Sequence, residues 1–497
     1  MSAVPETGPL PDGRPALRRC VAGDPEEFAT NYWGRRALLS PAADLAPLAQ
    51  SSDADLAPGN QPSDADQQAA ANDRPGQPAP PGFADLFSLA AVDELLSRRG
   101  LRTPFLRVAK NGSVVGDSQF TGSGGVGAEI GDQIRDDKVA ALFANGHTVV
   151  LQALHRTWPA LVDFSTQLAS EAGHPVQINA YITPAESQGF SAHYDVHDVF
   201  VLQVAGEKHW TVHEPVHLDP LRNQPWTDHS KAVAGAAREQ QPVVDAVLHP
   251  GDALYVPRGF LHSAKALGGV SAHLTIGLHT MTRYLLIQEL AALAANEVDL
   301  RTALPLGFNP GDPAQLAPEL EKVVALFTDH LHTATADDLA ARLRRRTWSG
   351  NRPAPLPPLA HAQAIADLKL GTTLRLRQGL NHHLVVPAPP AAEPNTASNF
   401  TGTAPSSPGR PEGASTGTGS ASASTGVASG APSGAAAVRL HLPDRTITFP
   451  AETAAALAAA LSGTPFAVGD LPELPPEDQL VLARRLMTEA VLVASPE

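Results

Sequence analysis

Residues 187–215 read SQGFSAHYDVHDVFVLQVAGEKHWTVHEP, and residues 251–263 read GDALYVPRGFLHS. In the first stretch, Val199 to Val204 and Lys208 to His213 form two strand-like runs separated by Ala205-Gly206-Glu207. Two such runs with glycine between them predict a β-hairpin. Just ahead, His193 and Asp195 stand two positions apart. On a strand, residues at that spacing point to one face, so an imidazole and a carboxylate can grip one ion. The second stretch adds His262, following Pro257-x-Gly259. Two histidines and one carboxylate make a facial triad that leaves three coordination positions open for a cosubstrate and O2.

Outward from this centre, Val176 to Thr183 (VQINAYIT) alternates, with Ile178, Ala180 and Ile182 on one face and Gln177, Asn179 and Tyr181 on the other. Ala253 to Val256 and Ser271 to Gly277 supply two more strands. Many short strands without interleaved helices predict an antiparallel barrel or sandwich. Helical periodicity takes over after Thr280: Leu316, Leu320, Val323, Val324, Phe327 and Leu331 mark an amphipathic helix over Gln315 to His332, with a second helix over Thr282 to Ala295. Near the end, Val438 to Phe449 alternates around a Pro-Asp turn, and helical patterns follow over 451–461 and 476–489. A hairpin with two helices is a winged-helix-like recipe.

Composition bounds the possibilities. The 497 residues include a single cysteine, Cys20, which excludes an intrachain disulfide and an intrachain thiolate zinc cluster. Any metal needs histidine and carboxylate ligands. Lysine and arginine number 36 against 51 acidic residues, a net charge of −15 that opposes broad nucleic-acid binding. No apolar run of transmembrane length occurs, and the first residues lack the pattern of a secretory signal, so a cytoplasmic protein without membrane association is expected. Residues 41–82 and 387–436 are rich in Ala, Pro, Ser, Gly and Asp or Thr, too poor in apolar groups to offset ordering entropy, and are expected to be disordered.

At this point the chain resembles a family. Gly251, Pro257, Gly259 and His262 fit the second cupin motif. Together with His193-x-Asp195, they make the chain similar to the JmjC-type cupin oxygenases of the ribosomal-oxygenase group. The stretch Tyr32-Trp33-Gly34-Arg35-Arg36 resembles bacterial members. The resemblance implies a mainly β fold with α: a double-stranded β-helix (cupin/JmjC jelly-roll) core. The expected organisation is an N-terminal segment over 1–40, the catalytic domain over 83–280 and a helical dimerisation segment over 281–348. A C-terminal domain of winged-helix-like form begins over 349–386 and resumes over 437–497.

The resemblance further implies Fe(II) held by His193, Asp195 and His262, with 2-oxoglutarate as cosubstrate and O2 as oxidant. Lys208 matches the family's basic residue for the distal carboxylate of 2-oxoglutarate. Asn179 and Tyr181 match polar positions lining the pocket, the first orienting the cosubstrate and the second lying nearer a protein substrate. The implied activity is hydroxylation of a side chain on a ribosomal or other basic protein, by a homodimer.

Blander readings stand beside these. Lys208 is a solvated turn lysine, Asn179 satisfies nearby backbone, Tyr181 packs, and Thr275 is an inward-facing strand residue. His197 is expected outside the metal shell, because residues four apart on a strand lie roughly 13 Å apart. His209, His213 and His217 are expected to be structural or exposed. Val438 to Glu497 carries only Arg439, Arg445, Arg484 and Arg485 as basic residues, which favours a scaffold over DNA binding. The metal could equally be manganese or zinc by ligand type alone. Three other functions fit the same residues: a 2-oxoglutarate oxygenase of a small molecule or peptide natural product, a metal cupin that uses no 2-oxoglutarate, and a non-catalytic metal-binding cupin module.

Overall fold

The computed structural model describes residues 14–45, 82–110, 112–187, 190–387 and 437–495. Most of the two segments expected to be disordered lies outside these residues.

The centre is a nine-stranded antiparallel sheet. Its strands are β1 (Leu38–Ser40), β2 (Leu106–Lys110), β3 (Ser113–Val114), β4 (Thr148–Leu151), β5 (Val176–Thr183), β6 (Asp198–His213), β7 (Val244–Leu248), β8 (Ala253–Val256) and β9 (Leu261–Leu278). The order across the sheet is β1-β8-β6-β9-β5-β4-β2-β3, and β7 pairs with the far half of β6. Alternation sorts the two faces of β5. Ile178, Ala180 and Ile182 are buried in the main core, together with Phe200, Leu202, Leu274 and Ile276 of neighbouring strands. Helix α1 (Pro159–Ala172) covers that face with Leu161, Phe164 and Leu168, three and four positions apart, and ends at Gly173 in the left-handed conformation.

The expected hairpin is not there. Asp198 to His213 is one 16-residue strand. The reason is its neighbour: β9 runs antiparallel along the whole of it, from Leu261 opposite His213 to Leu278 opposite Asp198, so the chain has no cause to reverse. Gly206 instead serves a register shift. Its φ is +61°, and a Cβ there would run into the carbonyl oxygen of Val270. At that bend the strand changes partner, from β8 on one side to β7 on the other.

The N-terminal residues lie against this sheet. Phe28 packs edge-on to Tyr255 with ring centroids 4.9 Å apart. The backbone N–H of Gly34 donates to the Tyr255 hydroxyl at 2.8 Å, which docks the YWGRR stretch. After the sheet come α2 (Arg283–Ala294), α3 (Pro313–Thr333) and α4 (Ala336–Thr347). Glu289 of α2 is buried and accepts from Arg342 at 2.8 Å and Arg346 at 2.6 Å, fastening α4 to α2. The C-terminal unit has its own core, built by Leu374, Leu440, Leu457, Leu486 and Leu492. Its hairpin pairs Val438–His441 with Thr446–Phe449, and the helices Ala454–Ala460 and Pro476–Thr488 follow. No helix among the described residues is long and apolar enough to cross a membrane.

Candidate metal centre

His193 does not sit on a regular strand. It lies in extended chain before β6 and forms an isolated bridge with His262, the second residue of β9. The bridge is reciprocal: His193 N–H donates to His262 O at 3.2 Å, and His262 N–H donates to His193 O at 2.8 Å. Gly259 N–H donates to Asp195 O at 3.0 Å, so the Pro257–Gly259 turn fixes the third residue against the same frame. At Gly259 the backbone is left-handed (φ +87°), and an added Cβ would stand 2.8 Å from His217 O. Glycine is required there.

The turn is held from behind. Asp198 is fully buried and accepts from Tyr255 Oη at 2.8 Å, Arg258 N at 3.3 Å and Thr280 Oγ1. Arg258 reaches both Asp198, at 3.5 Å, and Asp219, at 2.7 Å.

Within this frame, ligand atoms of His193, Asp195 and His262 lie within 4.8 Å of one another. His193 Nδ1 lies 2.8 Å from Ser191 O, and His262 Nδ1 lies 3.1 Å from Phe260 O. A carbonyl only accepts, so each Nδ1 carries the proton and each Nε2 presents its lone pair. Burial, with the His193 ring close by, pushes the His262 imidazole down to about 4, which keeps it neutral and ready to ligate. Burial pushes the Asp195 carboxyl up, but His197, His262, His193 and Arg107 outweigh it and hold it below its ordinary range. Two neutral imidazoles and one carboxylate suit a divalent first-row metal with open positions.

The triad opens into a pocket lined by Thr148, Tyr181, Thr183, Phe190, Val199, Val201, Lys208, Trp210, His273 and Thr275. Lys208 is not a solvated turn residue, because β6 runs straight through it and leaves it 4% exposed. Its Nζ donates to Thr183 Oγ1 at 3.1 Å and to His273 Nδ1 at 3.3 Å. Both partners are neutral, and no ion pair is made to it among the described residues. Burial alone pushes its pKa down to about 7. A buried ammonium with two neutral partners fits a carboxylate supplied by a ligand.

Tyr181 lines the pocket, stacked on His273 at 5.2 Å, with Arg107 close by. Burial, with Asp195 near, pushes its phenol up to about 12, so it stays protonated. Asn179 is not among the lining residues. Its Oδ1 accepts from Ala153 N at 3.0 Å, the backbone-satisfying role, because the turn before α1 passes beside this end of β5. His197 stays outside the triad, its ring packed on Gly277 and 5.3 Å from the His279 ring. His209 pairs with Asp245 at 2.6 Å, and His213 is buried. His273, Trp210 and Arg107 escaped the sequence reading. His273 carried a signal: it lies two residues before Thr275 on one strand, hence on the same inward face.

Comparison with known proteins agrees with this geometry. Residues 155–286 match the model of the JmjC domain. Ribosomal oxygenase 1 of Homo sapiens is 38% identical over 200 residues, covering 37% of this chain and 30% of that protein. The bifunctional lysine-specific demethylase and histidyl-hydroxylase NO66 of Drosophila persimilis is 38% identical over 138 residues, 26% of this chain and 19% of that protein. The chain thus spans well under half the length of these curated relatives. Among solved structures, E. coli ycfD aligns over 96% of this chain and 100% of its own, at 14% identity and a TM-score of 0.48. The JmjC match contains β5, β6 and β9 and every residue of the triad, so this stretch of the chain is similar to the JmjC domain, and its sequence relatives include the ribosomal oxygenases.

Proposed function

We propose that the chain is an Fe(II)- and 2-oxoglutarate-dependent oxygenase that hydroxylates a side chain of a ribosomal or other basic protein. The observation that carries this reading is the joint presence of the His193, Asp195, His262 cluster and a buried, anion-less Lys208 in one pocket. The names of the relatives, ribosomal oxygenase and histidyl-hydroxylase, support a protein substrate. Such a substrate would be met in the cytoplasm, and the acidic net charge of −15 suits a basic partner.

In this reading His193, Asp195 and His262 hold the metal, and Lys208 holds the far carboxylate of 2-oxoglutarate. Bound there, Fe(II) with 2-oxoglutarate and O2 supplies the oxidation: one oxygen atom enters the substrate C–H bond as hydroxyl, the other leaves in succinate, and CO2 is released. The chain's own part is orientation. The Nδ1 hydrogen bonds fix both imidazole planes, and Asp195 keeps a negative charge on the third side. Val199, Val201 and Trp210 give the pocket apolar walls that exclude water. Tyr181 and Arg107 stand on the pocket side facing Phe190, where a substrate side chain would enter.

A homodimer belongs to the same proposal. Leu316, Leu320, Val323, Val324 and Leu331 of α3 are all more than 40% exposed, an apolar row of the kind that a partner covers.

The test is succinate formation by the full chain given Fe(II), 2-oxoglutarate and O2, beside His193→Ala. Turnover should be present and fall by about a hundredfold or more in the variant. Succinate that is absent even with ribosomal proteins added would replace this reading with a metal cupin of other chemistry or a binding module.

A further inference from the structure

A cleft separates the catalytic sheet's helix α1 from the C-terminal unit, and its walls carry arginines from both sides. Arg156, from the turn preceding α1, and Arg352 and Arg377, from the far wall, line one lobe. Arg352 and Arg377 continue into an adjoining lobe with Arg375. Neither the Arg156 nor the Arg352 guanidinium makes a hydrogen bond or ion pair within the described residues, and the Arg377 guanidinium spends only its Nε, donating to Ala354 O at 2.8 Å. The acid present in the cleft is Glu171, and its carboxylate is occupied by the backbone N–H groups of Ala16 and Leu17 at 3.2 and 2.8 Å. Burial and the neighbouring Arg352 push the Arg156 guanidinium below its ordinary range, as expected of like charges held together.

In a chain of net charge −15, four arginines gathered in one cleft without a free acid need a reason. Guanidinium groups match phosphate bidentately, and several in one concavity match a ligand with more than one phosphate charge. We propose that this cleft binds a phosphate-bearing ligand, bridging the catalytic domain and the C-terminal unit. The site is separate from the metal pocket and independent of the activity proposed above.

The experiment is calorimetric titration of the full, metal-free chain with inorganic pyrophosphate, at constant ionic strength. Wild type should bind saturably at one site, and Arg156→Gln and Arg352→Gln should each weaken binding by about tenfold. Both side chains are exposed, and unchanged melting temperatures without ligand verify that the variants keep the fold. A parallel titration with a short single-stranded RNA distinguishes the source. Tighter binding than pyrophosphate assigns the site to a nucleic-acid backbone, and weaker binding to a free phosphate compound. No saturable binding, or equal binding by the double variant, overturns the proposal.

Discussion

The sheet that carries the metal centre and the helices that follow it are equally regular in sequence, yet they bury their apolar residues differently. Ile178, Phe200, Leu274 and Ile276 have no exposure at all, covered within the same chain. In α3, Leu320, Val323 and Val324 stand 55%, 47% and 56% exposed on a helix whose apolar spacing is just as orderly. Periodicity tells which side of an element seeks cover, and says nothing of which chain provides it. The sheet's core face is covered within the chain, whereas the helical face lies exposed.

The sharpest way to break this contrast is to charge the open face. Leu320→Asp with Val324→Asp should weaken a homodimer by about a thousandfold, since two apolar anchors are lost and two charges face burial. Sedimentation at micromolar concentration would then show a monomer. A monomeric wild type would mean that the helical face has another use. Inside the sheet, Lys208→Ala should raise the 2-oxoglutarate needed for half-maximal succinate formation by about 10- to 100-fold, the worth of a charge-assisted hydrogen bond. An unchanged requirement would remove Lys208 from the cosubstrate site.

A smaller effect follows from burial of the same lysine. Its pKa is held near 7, against an ordinary 10.5, so the unfolded chain binds the extra proton between those values. Stability of the cofactor-free protein should therefore rise with pH across that window, by at most about 1.4 kcal/mol per pH unit. Urea midpoints of wild type and Lys208→Met test this, the variant lacking the slope. Cosubstrate affinity should run the opposite way, falling as pH climbs above about 7, because the carboxylate needs the ammonium form. Smallest of all, Asn179→Ala should cost about 1 kcal/mol of stability by freeing Ala153 N–H, while the 2-oxoglutarate requirement stays within about twofold. A large rise in that requirement would return Asn179 to the pocket.

Much of this was legible beforehand, for local reasons. The strand at 176–183 shows in its alternation, and the α3 helix, expected over 315–332, spans Pro313–Thr333. Grouping His193, Asp195 and His262 needed only spacing and a turn motif, and the fold brings all three together. What escaped depends on distant chain. A glycine with positive φ looks the same in sequence whether the chain reverses or bulges, and only β9 lying along all of β6 decides for the bulge at Gly206. Asn179 has the right inward parity, but the turn before α1 claims its amide. His273 lies 65 residues from Lys208 in sequence, and their contact exists only because β9 pairs with both β5 and β6.

The reciprocal backbone bridge between His193 and His262 has a further consequence. Where ligands sit on separate flexible loops, the ion must gather them, and part of its affinity is spent on that search. Here the two imidazoles are set side by side by strand pairing, through backbone N–H and C=O groups that need no ion to meet. Folding and loading are then expected to be separate events. The protein should emerge fully folded under metal starvation, accept an ion within its first encounters, and release it to a chelator without unravelling.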